Sequence, residues 1–429
     1  MPFEYRKRLA ENTLNAKLNS SGCVLVTGPK FCGKTTLCQR FAKSSVSLRN
    51  GNIIALANSD PRGILKGDRP RLIDEWQKAP ELWNEIKNDL DKDYQFGKYI
   101  ITGSTTPLDP SKIQRSGAGR ISTMNLKPFS LYESGESSGI ISLSELFQSK
   151  GEMADAIYSS ESPVGLEEVA YMLSRGGWPV SLMAKKEYAI MVTENYYDGL
   201  FRIENENDDF ALFLKNKDTQ LLTLILKSFA RNISTQAKKA SMRRDILESE
   251  IREALDDETF SSYEKVLKDL FIIYDMPAWN LNLKSTVSVR AAPTHHFIDT
   301  SIATRALGIK PSDLINDLHS FGFFFEDFAV RDLSIYADSI QAKLKHYRDS
   351  ANREIDAIVE LKNGEYAAVE IKIYSERNIK EGFSSLNRFE KALKEDGLKL
   401  PKFKMILTSH GPCYRKDRTY VVPITALKN

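Results

Sequence analysis

The octapeptide Gly28-Pro29-Lys30-Phe31-Cys32-Gly33-Lys34-Thr35 constrains this chain more than any other stretch. It satisfies the spacing G-x-x-x-x-G-K-[ST]. The apolar run Cys23-Val24-Leu25-Val26 precedes it, and a segment of helical character, Thr36 to Phe41, follows. Strand, glycine loop and helix in that order curl backbone N–H groups around a phosphate and aim the positive end of a helix dipole at it. Gly28 to Thr36 are therefore the candidate nucleotide-binding segment. Lys34 is placed to reach β- and γ-phosphates, and the Thr35 hydroxyl to ligate Mg²⁺. Without a ligand, the same letters would describe a Gly-rich turn between a strand and a helix.

Other residues extend this reading to ATP and Mg²⁺. In Leu72-Ile73-Asp74-Glu75 a short strand ends in two carboxylates. Asp74 suits the metal and Glu75 the polarisation of an attacking water. Pro70 and Arg71 leave only two apolar residues before them. The stretch Tyr99–Ser104 reads YIITGS, a strand ending in hydroxyls, so Thr102 or Ser104 is a candidate contact to the γ-phosphate or the catalytic water. Beyond it lie Arg115 and Arg120. Either suits an arginine finger serving a neighbouring subunit, because charge on the transferring phosphoryl group rewards a guanidinium; Arg120 is preferred.

With 429 residues the chain exceeds one ordinary hydrophobic core, so two or three domains are expected. No apolar run nears the roughly 18 residues of a membrane span. The first residues, MPFEYRKRLAENTLNAKL, lack the apolar centre of a secretion signal. Cys23, Cys32, Cys38 and Cys413 lack metal-ligand spacing, and two lie in or beside the phosphate loop. A reduced, cytoplasmic protein is expected. Residues 370–429 hold 13 Lys and Arg against 7 Asp and Glu, in a chain of net charge +3. That region permits contact with nucleic acid, and equally reads as a solvated surface.

The expected fold class is α/β in three parts. Residues 1–135 alternate strands with helices, the strands being Cys23–Thr27, Ile53–Leu56, Arg71–Ile73, Tyr99–Thr102 and Ile121–Leu126. This alternation predicts a parallel, doubly wound sheet carrying its ligand at the carboxyl ends of the strands. Glu133–Ser144 is rich in Ser and Gly and reads as a linker. Residues 145–292 are mainly helical. Within them Met242–Leu255, Ser261–Leu270 and the apolar 271–274 suggest a winged helix-turn-helix whose second helix is Thr259–Leu270. Its mixed charges favour packing over DNA contact. Residues 293–429 predict a small α/β domain: a helix Ile315–Tyr336, strands Lys343–Tyr347, Glu354–Leu361 and Tyr366–Ile373, a helix Ile379–Glu395, and strands Phe403–Leu407 and Tyr420–Pro423. His295 and His296, beside Asp299, read as a strand end next to a helix cap rather than metal ligands.

A second constellation is independent of the nucleotide. Asp356 and Glu370-Ile371-Lys372 lie in consecutive strands joined at Lys362-Asn363-Gly364-Glu365, and Glu326 lies in the preceding helix. Residues two apart on a strand share a face, so Glu370 and Lys372 lie together and Asp356 pairs near them. Glu326, Asp356 and Glu370 are candidate metal ligands, and Asp356, Glu370 and Lys372 candidate catalytic groups for phosphodiester cleavage. A charged hairpin on an α/β scaffold is the plainer account.

GPKFCGKT, RLIDEW, YIITGS and GRISTMNLKPFSLYE together resemble a large group of uncharacterised prokaryotic ATPases of the AAA superfamily. In that group a C-terminal domain of unknown function follows the ATPase. RLIDEWQKAPELWNEI, RGGWPVSL, Met276-Pro277-Ala278-Trp279, HHFIDTSIATRALG and GFFFEDFAVRDLSIYA are similar to the same group, so the resemblance spans nearly the whole chain. The pattern Asp, then Glu-x-Lys, resembles the restriction-endonuclease-like nuclease core, although no Pro precedes Asp356. Two functions follow as expectations. One is a Mg²⁺-dependent ATPase whose C-terminal domain cleaves or binds DNA. The other is a regulatory nucleotide-binding module whose C-terminal fold binds a protein or nucleic acid without cleaving, with self-association possible in either case.

Overall fold

The computed structural model describes residues 5–105, 117–149, 164–200, 214, 217–249, 255–280 and 292–429; Arg115 lies outside them. The first part is built on five parallel strands: β1 (Cys23–Thr27), β2 (Ser44–Ser47), β3 (Arg71–Asp74), β4 (Tyr99–Gly103) and β5 (Ile121–Asn125). Their order is β2-β3-β4-β1-β5. The inner strands β1 and β4 are apolar on both faces, as a strand covered on both sides must be. Val24, Val26 and Ile100 join one core, while Cys23, Leu25 and Ile101 join Leu82, Ile86 and Leu90 in another. The register aligns Thr27 with Gly103 and Asp74 with Thr102, which gathers the polar strand ends along one edge.

The expected strand at Ile53–Leu56 is instead part of the helix Gly51–Ser59, whose start is capped by the Asn50 side chain accepting from the Asn52 N–H at 2.8 Å. The second strand is the edge strand Ser44–Ser47, with Val46 as its one apolar residue. An edge strand has little burial to specify it, so its letters carry little signal. Glu133–Ser144 is also ordered rather than a linker. Ser130 and Glu133 form a reciprocal capping box on the helix Leu131–Ser134. Then β6 (Ile141–Ser142) pairs in parallel with the distant β15 (Leu427–Lys428). Ser137 Oγ donates to the Leu427 carbonyl at 2.7 Å, and Ser142 Oγ to that of Asn429 at 2.6 Å. These serines hold a seam.

The middle part contains helices Leu166–Arg175, Lys186–Leu200, Thr219–Arg231, Lys239–Ser249 and Asp257–Asp269. An antiparallel ribbon follows, β7 (Ile273–Met276) with β8 (Thr294–Phe297). Residues 250–254, inside the expected helix Met242–Leu255, lie outside the described residues. The helix Asp257–Asp269 buries Phe260, Tyr263 and Leu267. Lys265 pairs with Asp269, and Lys268 with Glu264 and Asp275, which leaves those cations little charge for a phosphate backbone.

The last part is a mixed sheet in the order β13-β14-β12-β11-β10-β9. Its strands are β9 (Lys343–Arg348), β10 (Glu354–Glu360), β11 (Tyr366–Lys372), β12 (Phe403–Thr408), β13 (Tyr414–Lys416) and β14 (Thr419–Pro423). β9, β10 and β11 are antiparallel, β11, β12 and β14 parallel. Alternation sends Ala367, Val369 and Ile371 to the same core as Phe321, Phe325 and Phe328 of the helix Leu318–Ser339. Tyr366 and Ala368 face Leu386 and Phe389 of the helix Glu376–Glu395. The first of these cores also takes in Leu14 and Val26 beside the parallel sheet and Leu222 and Phe229 in the middle part. Among the described residues no helix is long and apolar enough to cross a membrane, and the four cysteines are free and buried.

Candidate nucleotide site

The loop after β1 needs its glycines. At Gly28, with φ +143°, an added Cβ would stand 2.2 Å from the Leu126 carbonyl oxygen. Gly33, at φ +97°, turns the chain into the helix Lys34–Gln39. Phe31 is left-handed as well, at φ +63°, and 68% exposed. Cys32 is buried, and its carbonyl accepts from Arg8 Nη1 at 3.0 Å. The same buried arginine bonds Glu133 (3.0 Å) and the Lys127 carbonyl (2.7 Å) and lies 4.1 Å over the Phe129 ring. Arg8 thus ties the loop to the segment that leaves β5. Nothing in the spacing of the sequence points to it, since its partners lie 24 and 125 residues away.

Lys34 is buried and donates to the loop carbonyls of Gly28 (2.9 Å) and Pro29 (2.8 Å). Pro29 is buried and Lys30 half-buried, while Thr36 is exposed on the first turn of the helix. Thr35 Oγ1 donates to Asp74 Oδ1 at 2.7 Å, and Thr102 Oγ1 donates to the same oxygen at 2.6 Å. Ser47 Oγ, from the end of β2, reaches Asp74 Oδ2 at 3.3 Å. A hydroxyl beside a carboxylate oxygen is the hard donor set that Mg²⁺ takes, so Thr35 and Asp74 fit that ion.

Glu75 follows β3 in the left-handed region, φ +61°, a conformation that costs a non-glycine residue of order 1–3 kcal/mol and recurs at functional sites. Gln77 Nε2 (2.6 Å) and Ser104 Oγ (3.1 Å) hold its Oε2. Ser104 is therefore a neighbour of Glu75, and Thr102 of Asp74. Arg49, just past β2, was not foreseen from the sequence; its Nη2 lies 3.2 Å from Asp74 Oδ2, 3.4 Å from Thr35 Oγ1 and 3.8 Å from Glu75 Oε1. Arg120 sits elsewhere. It precedes β5, at the end of the sheet away from the loop, and its Nε pairs with Asp91 at 2.6 Å.

Three stretches singled out in the sequence meet behind the loop. The Gly177 N–H donates to Asp299 Oδ2 (2.9 Å) and Trp178 Nε1 to Ser301 Oγ (3.1 Å). Asp299 also caps the helix Thr300–Leu307 and pairs with Arg331 (2.9 Å), which pairs with Asp332 (2.8 Å), and Asp332 accepts from the Leu131 N–H (2.8 Å). Arg331, Asp299 and Asp332 are all buried, one guanidinium bridging two carboxylates that each also accept a backbone N–H. Pro179 stands 3.9 Å from where a Cβ on Gly33 would be. The histidines do not gather around an ion: His295 bonds Asp275 (2.9 Å) and the buried His296 bonds Asp327 (3.0 Å).

In the last part, Ala357 faces Val369, which brings Asp356 beside Glu370. Lys372 Nζ lies 3.0 Å from Asp356 Oδ2 and 2.7 Å from Glu370 Oε2. Asp356 Oδ2 also accepts from the Ile371 N–H at 2.6 Å, and Glu370 Oε1 from Ser385 Oγ at 2.8 Å. Burial, then the Asp356 charge, lifts the Glu370 carboxyl to about 7 against the pull of Lys372. Burial alone would lower the Lys372 pKa; Asp356 and Glu370 overcome it and hold the ammonium charged. Glu326 feels the same acids, and burial with the Asp356 charge raises it well above the usual range. It rides on the helix Leu318–Ser339, which covers the face opposite to the one Glu370 occupies. Among the described residues no three His, Cys, Asp or Glu side chains are grouped so as to hold a metal ion. The cation between the strand carboxylates is Lys372, and Glu326 stands close enough to feel the charges of Asp356, Lys372 and Glu370.

Residues 20–135 match the family model described as AAA domain. Residues 166–313 and 321–427 match two domains of unknown function, DUF8612 and DUF4143. Uncharacterized proteins of Mycobacterium tuberculosis and Mycobacterium bovis are each 24% identical over 396 residues, covering 88% of this chain and 76% of theirs. Among solved structures, the ORC2 protein of Aeropyrum pernix, in ADPNP and ADP complexes, is similar at 12% identity and a TM-score of 0.29, over 72% of this chain and 91% of that one. A DNA polymerase III gamma subunit-related protein of Thermotoga maritima is similar at 10% identity and a TM-score of 0.24, over 61% and 99%. Both likenesses are slight.

Proposed function

We propose that the AAA-type domain binds ATP with Mg²⁺ and hydrolyses it, and that the C-terminal domain is a binding module that does not cleave DNA. The observation that carries the first part is the junction of Thr35, Asp74 and Thr102 at one oxygen beside the Gly28–Lys34 loop, with Glu75 next to it. Thr35 and Asp74 would hold Mg²⁺, which supplies charge neutralisation at the β- and γ-phosphates. Lys34 leaves the Gly28 and Pro29 carbonyls for phosphate oxygens, exchanging neutral acceptors for charged ones and so gaining strength. Gln77 and Ser104 fix one oxygen of Glu75, which aims the other, now 3.8 Å from Arg49, to orient a water in line with the γ-phosphorus once that arginine moves off. Arg120, at the far end of the sheet, reaches a γ-phosphate only in a second copy.

The second part rests on Lys372. Its ammonium bonds both Asp356 and Glu370 from within, and the Glu370 carboxyl, lifted to about 7, sheds part of its own charge, which supports an arrangement that needs no ion. The strand pattern with Asp356, Glu370 and Lys372 on it still supports a nuclease-like scaffold kept for binding, with DNA or a protein as the partner. The test has two arms. Mg²⁺-dependent ATP turnover is expected in the parent chain and is lost, by about a hundredfold or more, in Lys34→Ala and Glu75→Gln; unchanged turnover in both variants sinks the ATPase reading. No nicking of plasmid DNA with Mg²⁺ or Mn²⁺ is expected. Nicking that disappears in Asp356→Ala and Lys372→Ala would install the nuclease instead.

A further inference from the structure

We infer that Arg49 is the γ-phosphate contact of this site, supplied in cis and stored on the acidic pair until Mg·ATP arrives. The inference rests on the nucleotide reading above and adds a residue to it. Arg49 is placed by backbone that leaves it little choice. The buried Leu48 before it donates its N–H to the Asp74 carbonyl at 3.0 Å, and Asn50 after it caps the next helix. From there the guanidinium spans three groups of the site at once: Asp74 Oδ2 (3.2 Å), Thr35 Oγ1 (3.4 Å) and Glu75 Oε1 (3.8 Å).

Those are the oxygens that Mg²⁺ and the attacking water need. A divalent ion on Thr35 and Asp74 repels a guanidinium at the same oxygens, so the two exclude each other. The Arg49 side chain is 62% exposed, so solvent on that side leaves it room to swing once that ion arrives. Its backbone stays pinned beside β3 through Leu48. The anion that then lies within one side-chain length is the terminal phosphate, whose transition-state charge a planar guanidinium matches. Lys34 reaches the phosphates from the loop side and Arg49 from the β2 side, so the triphosphate is held between two cations. ADP lacks the group that Arg49 takes.

The test compares nucleotides in Arg49→Ala and Arg49→Lys. With Mg²⁺ present, Arg49→Ala is expected to lose roughly tenfold to a hundredfold in affinity for a non-hydrolysable ATP analogue, the range of one charge-assisted hydrogen bond or two. Its affinity for Mg·ADP stays within about twofold, its turnover falls by more than its binding, and Arg49→Lys restores part of both. Equal losses for analogue and ADP would reduce Arg49 to a scaffold role, and unchanged analogue affinity would remove it from the site; either overturns the inference. A parent chain that binds neither nucleotide overturns the nucleotide reading itself, which the same titration detects before any variant is compared.

Discussion

The two clusters of acid and base in this chain use similar letters and are built for opposite ends. At the carboxyl edge of the parallel sheet, Asp74 and Glu75 are fixed by hydroxyls and an amide, with an exposed arginine lying across them. In the mixed sheet, Asp356 and Glu370 are closed around Lys372, with a backbone N–H and Ser385 completing the shell. The first cluster needs a visitor to balance its charge in the reacting state. The second balances itself. The difference lies in where the cation comes from, and a motif written as Asp, then Glu-x-Lys, does not record it.

The largest expected effect falls on the first cluster. Gly28→Ala puts a methyl 2.2 Å from the Leu126 carbonyl at a φ of +143°, so the loop must shift. Nucleotide affinity is expected to fall roughly a hundredfold or more, equivalent to about 3 kcal/mol, in a titration with a fluorescent ATP analogue. Retained affinity would mean that the loop tolerates another path. Next comes Lys372→Met, which leaves Asp356 and Glu370 as adjacent carboxylates without the cation between them. Unfolding by denaturant is expected to show a loss of about 2–4 kcal/mol, because a pair broken on one side leaves a charge uncompensated. ATP turnover should be unchanged. A drop in turnover without a drop in stability would break the contrast between the clusters.

The smallest effect is a slope. Burial and the Asp356 charge lift the Glu370 carboxyl in the folded chain to about 7, against 4.5 for its ordinary value. The folded state therefore holds the proton more tightly than the unfolded one, and this group's contribution to stability is fully present below about 4.5. It is lost as pH rises from there through 7. Glu370→Gln should remove that part of the pH dependence, seen as a shallower decline in unfolding free energy over the same window. An unaltered slope would show that Lys372 keeps Glu370 ionised throughout.

What could be read in the letters was local. The strand–loop–helix around Gly28–Thr35 and the Asp74-Glu75 pair lie within short windows, so periodicity and spacing reached them. The hairpin from β10 to β11 was legible for the same reason, with Gly364 at φ +76° in its turn. Ile53-Ile54 misled because β-branched residues also serve an amphipathic helix once Asn50 caps it, while the true strand Ser44–Ser47 has almost nothing apolar to announce it. Serines in 133–144 looked like linker chemistry, yet their hydroxyls meet carbonyls about 290 residues away. Arg8 and Arg49 escaped notice because a lone arginine carries no signal until its distant partners are in place.

That seam between β6 and β15 has a consequence in time. Ser142 and Asn429 are separated by 287 residues, so the partner that completes the edge at Ile141–Ser142 is made long after the strand itself. At the usual pace of synthesis the gap is roughly 15–60 s. During that interval the segment after β5 carries an unpaired backbone edge, with Ile141 and Leu143 lacking the cover they have in the finished protein. Newborn chains of this protein are therefore most open to wrong pairings there, and a ribosome stalled before residue 427 would display that edge to any chaperone that recognises extended apolar backbone.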